Sequence, residues 1–360
     1  MANIYVNHSG SSTPPYDTEA KAATNIQTAL DAAGAGSTVL IKADQDYVMN
    51  GSDQQAAQFD VDTSDNITIK GYYSTPGDQD YGGAHYKDSS HGWVIINANN
   101  GAFHVFSTGN KNRLRWLNLK TINVNTAYIV FNLIPTAEQP GSLLQNCIFT
   151  GGKVAVSAIN TGNLIIRDCT FTGTYTLIPT YGVIYLTNTC SRGVIIQDCN
   201  FSHGNSARSI YCLNSGMNVI EHNVFNITGA VTAVVEIAAA GFLANNVIYK
   251  ASGGSITNGI KITAGGHSCA IYNNIIVGCT TSINDAAPAN FGGWNCFYNN
   301  GSNWTLRNGD IAADPQFMDA ANGDFRLKPT SPCLNRGKPT LSSGYTSIGT
   351  WQRKSLLGQE

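Results

Sequence analysis

The sequence predicts an all-β fold: a parallel β-helix, or solenoid, with an N-terminal capping helix and an irregular C-terminal cap. Three observations carry this expectation. A short phrase recurs across 143–297: two to four apolar residues, one or two polar ones, then Cys or Asn, any residue, and a large apolar residue. Its key position falls at Cys147, Cys169, Cys199, Asn223, Asn246, Asn274 and Asn295, in steps of 22, 30, 24, 23, 28 and 21 residues. Between the copies lie further strand-like runs at 154–156, 183–186, 209–211, 233–237 and 259–262, with no helical pattern. An irregular period of this size, filled with strand chemistry, marks a chain wound into stacked coils.

Taken in order, 4–6 reads as a short strand and 9–15 as a turn-rich loop. From Asp17, placed as an N-cap, to Gly34, placed as a stop, the pattern is helical. Ala22, Ala23, Ile26, Ala29, Leu30 and Ala33 fall on one face. Such a helix would cover the open end of the solenoid, where strand groups are otherwise unpaired. Runs at 39–41 and 67–72 read as strands of the first coil, and those at 93–96, 103–106 and 114–119 resume them. Leu117, 30 residues before Cys147, is expected to start the ladder. The polar stretches 74–90 and 131–141 read as excursions from the barrel. After Gly301 the phrase disappears, so the organisation is expected to be 1–36 strand and capping helix, 37–300 β-helix, and 301–360 C-terminal cap.

Coils of a parallel solenoid stack about 4.8 Å apart, so equivalent positions form columns. Cys147, Cys169, Cys199, Asn223, Asn246 and Asn274 are expected to point inward as a structural ladder. Asn at such a position can bond to the coils above and below. Cys there acts as a small apolar residue. The chain has nine cysteines, expected to be reduced, and no Cys/His spacing that suggests zinc.

Charged residues make up 12% of the chain and the formal net charge is -2. No Lys/Arg cluster exists, so nucleic acid and anionic membranes have no electrostatic basis as partners. No apolar run approaches the roughly 20 residues of a membrane span. Residues 1–7 lack the basic start and apolar core of a secretory signal.

The coil phrase, the 23–33 segment, and the closing phrases Asp314-Pro315-x-Phe317 and Asp324-Phe325-Arg326-Leu327…Ser331-Pro332-Cys333 together resemble the right-handed parallel β-helix (pectate-lyase-like) superfamily, in particular its phage and bacterial surface proteins. That resemblance implies polysaccharide lyases, glycoside hydrolases, tailspikes or non-catalytic virion proteins, and the fold alone does not choose among them. A lyase of this shape would need an Arg or Lys base and often calcium. A hydrolase would need two carboxyl groups about 5 to 9.5 Å apart.

From Gly101 to Thr280 the only acidic residues are Glu138, Asp168, Asp198, Glu221 and Glu236, few for an acid-lined cleft. The catalytic candidates are Asp168, Asp198 and His222, which share one repeat position, beside Arg167, Gln197 and Glu221. Carboxylates in such a column could share a proton or hold a cation, with His as base. The competing reading is that a turn entrance wants a small polar residue there, as Asn146, Asn245 and Asn273 supply. Gly266-His267-Ser268 resembles a hydrolase motif, but its basic partner Asn258–Lys261 precedes it rather than follows. Tyr175, Tyr181, Tyr185 and Tyr211 are the candidates for carbohydrate binding, since Tyr rings stack on sugars.

The expected function is therefore a non-catalytic β-helix of a virus particle: a capsid decoration, head fibre or tailspike-like subunit, self-associating as a homotrimer and meeting other virion proteins. It would assemble in the host cytoplasm without cofactor. The alternatives are a lyase or hydrolase on an acidic polysaccharide, with calcium if a lyase, and a secreted or cell-surface carbohydrate-binding module.

Overall fold

The computed structural model describes residues 2–61, 64–80, 92–109, 111, 113–133, 139–176, 180–187, 192–213, 216–263, 268–286, 290–338 and 348–349. They form a parallel β-solenoid whose coils each contribute strands to three sheets. Two compact units divide the chain, 1–176 with 189–192, and 177–188 with 193–360.

In the first unit the first sheet is built from Asn3–Val6, Thr38–Lys42, Thr68–Tyr72, Arg115–Leu117, Leu143–Gln145 and Leu164–Arg167. Asn3–Val6 pairs with Thr38–Lys42, Thr38–Lys42 with Thr68–Tyr72, Thr68–Tyr72 with Arg115–Leu117, and Leu143–Gln145 with both its neighbours, all parallel and in register, as in Leu144 opposite Trp116 and Ile166. The second sheet includes Leu119–Ile122, Ile148–Gly152 and Thr170–Tyr175, and the third Ile129–Leu133 and Val154–Ala158. In the second unit the same three-strand plan recurs. Its first sheet runs through Val194–Gln197, Asn218–Glu221, Gly241–Ala244, Cys269–Tyr272 and Phe291–Gly293. Its second runs through Asn200–His203, Val224–Ile227, Val247–Lys250, Ile275–Val277, Cys296–Tyr298 and Ile311–Ala312. Its third runs through Ile184–Leu186, Ser206–Cys212, Ala230–Ile237, Ser255–Ile262 and Thr281–Asp285.

The recurring phrase is the corner between first and second sheets. One residue turns the chain in the left-handed region: Asn146 and Asp168 in the first unit (φ 51° and 57°), Asp198, His222, Asn245, Asn273 and Trp294 in the second (φ 54° to 58°). Asn, Asp and His tolerate this region better than other side chains. The next residue points into the barrel. In the second unit it builds an amide ladder. Asn223 Nδ2 donates to Asn246 Oδ1 (3.1 Å), Asn246 to Asn274 (3.0 Å), Asn274 to Asn295 (3.1 Å), and Asn295 to Asp310 Oδ1 (3.1 Å). Each Oδ1 also accepts the backbone N–H of the coil before it, beginning with Cys199 N (2.9 Å). Asp310 suits the end of the array, because the last acceptor needs no donor of its own. Cys147, Cys169 and Cys199 hold the inward position of earlier coils, 1% exposed and as free thiols. The ladder begins one coil earlier than Cys147, but at Leu119 rather than Leu117. Asn118 (φ 60°) turns the chain, Leu119 is buried, and Leu117 faces Gln145 on the sheet.

Aromatic side chains fill the interior above these corners. Phe149 stacks on Phe171 at 4.9 Å between ring centroids, and Phe201 on Phe225 at 4.6 Å. Fully burying rings of this size supplies about 2 to 3 kcal/mol each.

The N-terminal helix is shorter than predicted. The true N-cap is Asn25, whose Oδ1 accepts from Gln27 N and Thr28 N, and the helix covers only Ile26–Ala32. Upstream, Glu19–Lys21 form a 3-10 turn, and Ala23 leaves the helix to pair with the edge strand: its N–H bonds Tyr5 O and its carbonyl accepts from Asn7 N. Satisfying an exposed sheet edge outweighs a few residues of helix propensity. All six residues of the predicted apolar face are nonetheless buried, at 2% exposure or less.

After the last coil the chain does not simply stack. Trp304 is buried, its backbone N–H donates to Ser282 Oγ (3.0 Å), and the Arg307 guanidinium sits 3.7 Å from its ring centroid. The antiparallel hairpin Phe317–Asp319 with Asp324–Leu327 then folds back onto the outer face of the second sheet. Phe317, Phe325 and Tyr249 pack together there, with centroid separations of 5.2 to 6.2 Å.

Candidate functional site

The outer face of the third sheet in the second unit brings aromatic and charged side chains of several coils together. Parallel register places Tyr185 opposite Tyr211, Tyr211 opposite Glu236, and Glu236 opposite Lys261. Tyr181, just before its strand, packs edge-on against Tyr185 at 5.0 Å, and Tyr185 lies 5.7 Å from Tyr211. Arg208 sits over the Tyr211 ring at 4.0 Å and donates from Nε to Glu236 Oε2 at 2.5 Å. Lys261 Nζ donates to the other oxygen, Glu236 Oε1, at 3.2 Å. Asn284 follows Lys261 in the column and donates to Asn258 Oδ1.

Glu236 is the pivot. Its side chain is 3% exposed, against 11% for Arg208 and 31% for Lys261. A buried carboxylate is tolerated only when its oxygens are engaged, and here two cations engage both. The result is a rigid basic pair beside a row of three half-buried tyrosines. Burial is the main cause that raises the Tyr185 and Tyr211 hydroxyls above their ordinary range, so both stay neutral donors at physiological pH.

The predicted sugar-stacking residues thus divide. Tyr181, Tyr185 and Tyr211 come together on this face. Tyr175 does not: it is 1% exposed, and its hydroxyl donates to Phe149 O at 3.1 Å inside the first unit. It is a core residue, with a polar tip satisfied by backbone. Arg208, Glu236 and Lys261 were not singled out from sequence as a site. A signal existed, since Tyr211, Glu236 and Lys261 are spaced by 25 residues each, one coil apart.

The predicted catalytic column occupies the left-handed corner. Asp168, Asp198 and His222 stand where Asn146, Asn245 and Asn273 stand in other coils, so backbone conformation accounts for their residue type. His222 is 3% exposed, with Nδ1 3.7 Å from Glu221 Oε2. In the first unit, Asn118 and Asn146 of this corner column bond to each other and hold the 74–80 loop, through Asp80 and the Gln79 carbonyl. In the second, Asn273 pairs with the Lys338 backbone in both directions (2.7 and 2.8 Å). Asn118, Asn146 and Asn273 of this column thus anchor chain excursions. Gly266 and His267 of the hydrolase-like phrase lie outside the described residues.

A second His has nucleophile-like geometry. His203 Nδ1 donates to Gly204 O (2.8 Å), leaving Nε2 to accept from Ser209 Oγ (2.8 Å). Both residues are at most 1% exposed, so no substrate reaches them. Burial pulls the imidazole down to about 4.

Among the described residues no group of three or more His, Cys, Asp or Glu side chains has a metal-binding arrangement.

Set beside solved structures, the chain superposes on pectate lyase Pel9A with a TM-score of 0.56 over 98% of its own length and 96% of that chain, at 11% identity. This is the pectate-lyase-like parallel β-helix fold. At that identity the pectate-lyase-like likeness speaks for the winding of the chain alone. No protein-family model matches the sequence, and no curated protein does.

Proposed function

We propose that the chain is a non-catalytic, polysaccharide-binding β-helix that holds its ligand along the outer face of the third sheet in the second unit. The observation that carries this reading is the single row of Tyr181, Tyr185 and Tyr211 continuing into Arg208, Glu236 and Lys261. Tyr rings pack against the apolar faces of sugar rings and offer hydroxyls to their edges. Arg208 and Lys261 outnumber Glu236, so the face favours an acidic polymer. Their fixed positions lower the ordering cost of binding. Cleavage is a different demand. Hydrolysis needs two carboxyl groups at a set separation, and this row presents one, held by cations.

A virion role fits the same face as part of this proposal: a fibre or spike subunit needs an adhesive surface, not an acid–base pair. A secreted or cell-surface module would use the face in the same way.

The test is retention on a panel of immobilised acidic and neutral polysaccharides, run beside an ultraviolet assay for unsaturated products with and without calcium. Retention on at least one polymer with flat ultraviolet traces is expected. Release of unsaturated product, or indifference to Tyr185→Ala, would overturn the proposal.

A further inference from the structure

Two phrases of the sequence meet in a way the binding face does not use: the last coil, Trp294-Asn295-Cys296-Phe297, and the closing Ser331-Pro332-Cys333. In earlier coils Cys147, Cys169 and Cys199 hold the inward ladder position. In the last coil Asn295 takes that place, so Cys296 falls one residue later and strand alternation turns it outward. It stands in the outward column of the second sheet, opposite Ile275 and Ile311. The C-terminal hairpin lies on that column, and Cys333 follows it into the same apolar cluster with Val247, Ile275, Phe325 and Ile348. Both thiols are fully buried in this one cluster, and the Cys333 side chain is the largest of the causes that raise the Cys296 thiol above its ordinary range. Each is held on rigid backbone: Cys296 Sγ donates to Ala313 O (3.2 Å), and the Cys333 carbonyl accepts from Ile348 N (3.0 Å).

We propose that Cys296 and Cys333 are a site of reversible disulfide formation that latches the C-terminal segment to the last coil. The oxidant is a small-molecule disulfide such as oxidised glutathione. When the segment opens transiently, one cysteine loses its proton to solvent and its thiolate attacks the disulfide, forming a mixed disulfide and expelling one glutathione thiolate. The second cysteine, deprotonated in turn, attacks the protein sulfur of the mixed disulfide and expels the second thiolate. Two cysteine thiols are oxidised, one disulfide is reduced, and two glutathione thiols leave. The neighbouring Cys333 side chain and burial hold the Cys296 thiol above its ordinary range while the segment is closed. The closed state is therefore slow to react, and the bond once made is slow to be reduced.

The experiment incubates the intact protein with oxidised glutathione at temperatures approaching the onset of unfolding, then quenches with acid and maps peptides by mass. The expected result is a Cys296–Cys333 cross-linked peptide as the main product, with two fewer titratable thiols per chain. The oxidised protein should also resist protease in 311–338 and melt several degrees higher. Recovery of Cys296 and Cys333 only as free thiols or separate glutathione adducts would overturn the proposal. So would a dominant cross-link between Cys147 and Cys169. In Cys333→Ala the latch peptide must disappear; protease protection that persists on oxidation would count against the latch.

Discussion

Asn246 shows how much one inward amide carries. Its Nδ2 donates to Asn274 Oδ1 and to the Ile220 carbonyl, and its Oδ1 accepts from Asn223 N and Nδ2. Asn246→Ala leaves those partners buried and unmatched, so it should cost about 2 to 4 kcal/mol in denaturant unfolding. Asn246→Asp should also destabilise, since a carboxylate cannot donate onward. Asp310, at the ladder's end, has no such obligation. Burial is the largest influence on its carboxyl and holds it above the ordinary range, against donors from Asn295 and Arg307. His203 titrates in the opposite sense. Its folded value of about 4 lies below an unfolded one near 6.5, so its contribution is complete above pH 6.5 and is lost as pH falls toward 4. The shift corresponds to about 3 kcal/mol. Unfolding followed at pH 7 and pH 4.5 should show this loss in the parent chain and a smaller one in His203→Gln.

At the scale of the element, the corner between first and second sheets was legible because it repeats. A left-handed residue followed by an inward small residue leaves the same signature at each corner from Asn146 to Trp294, and Cys and Asn can exchange in it because both are compact. The N-terminal helix was only half legible. The apolar spacing across Ala22–Ala33 was right about burial. It could not show that Ala23 would be drawn out of the helix to complete the edge of Asn3–Val6. The third-sheet face was harder to see, since its residues come from strands far apart in sequence and their facing depends on register. Tyr175 illustrates the point: like Tyr181, Tyr185 and Tyr211 in composition, it faces the interior. On that face, Tyr185→Ala and Tyr211→Ala should each weaken polysaccharide retention about tenfold, the effect of losing roughly 1.4 kcal/mol of contact. Both should leave the melting temperature nearly unchanged. Glu236→Gln should act differently: it unpairs two cations, so it should lower both stability and binding.

For the whole molecule, parallel stacking turns a plain repeat into two kinds of surface. Inward columns of amide, thiol and aromatic rings hold the winding together. Outward columns are free to specialise coil by coil, as the tyrosine and basic column does in the second unit. The account's central claim is that this outward column is the working surface. Equilibrium binding of acidic polysaccharides to the parent chain and to the triple variant Tyr181→Ala, Tyr185→Ala, Tyr211→Ala tests it most directly. The account predicts binding to at least one polymer by the parent, loss of about a hundredfold or more in a triple variant that still melts cooperatively, and no shortening of the polymer. Unchanged binding by a folded triple variant, or a shortened polymer, would contradict it.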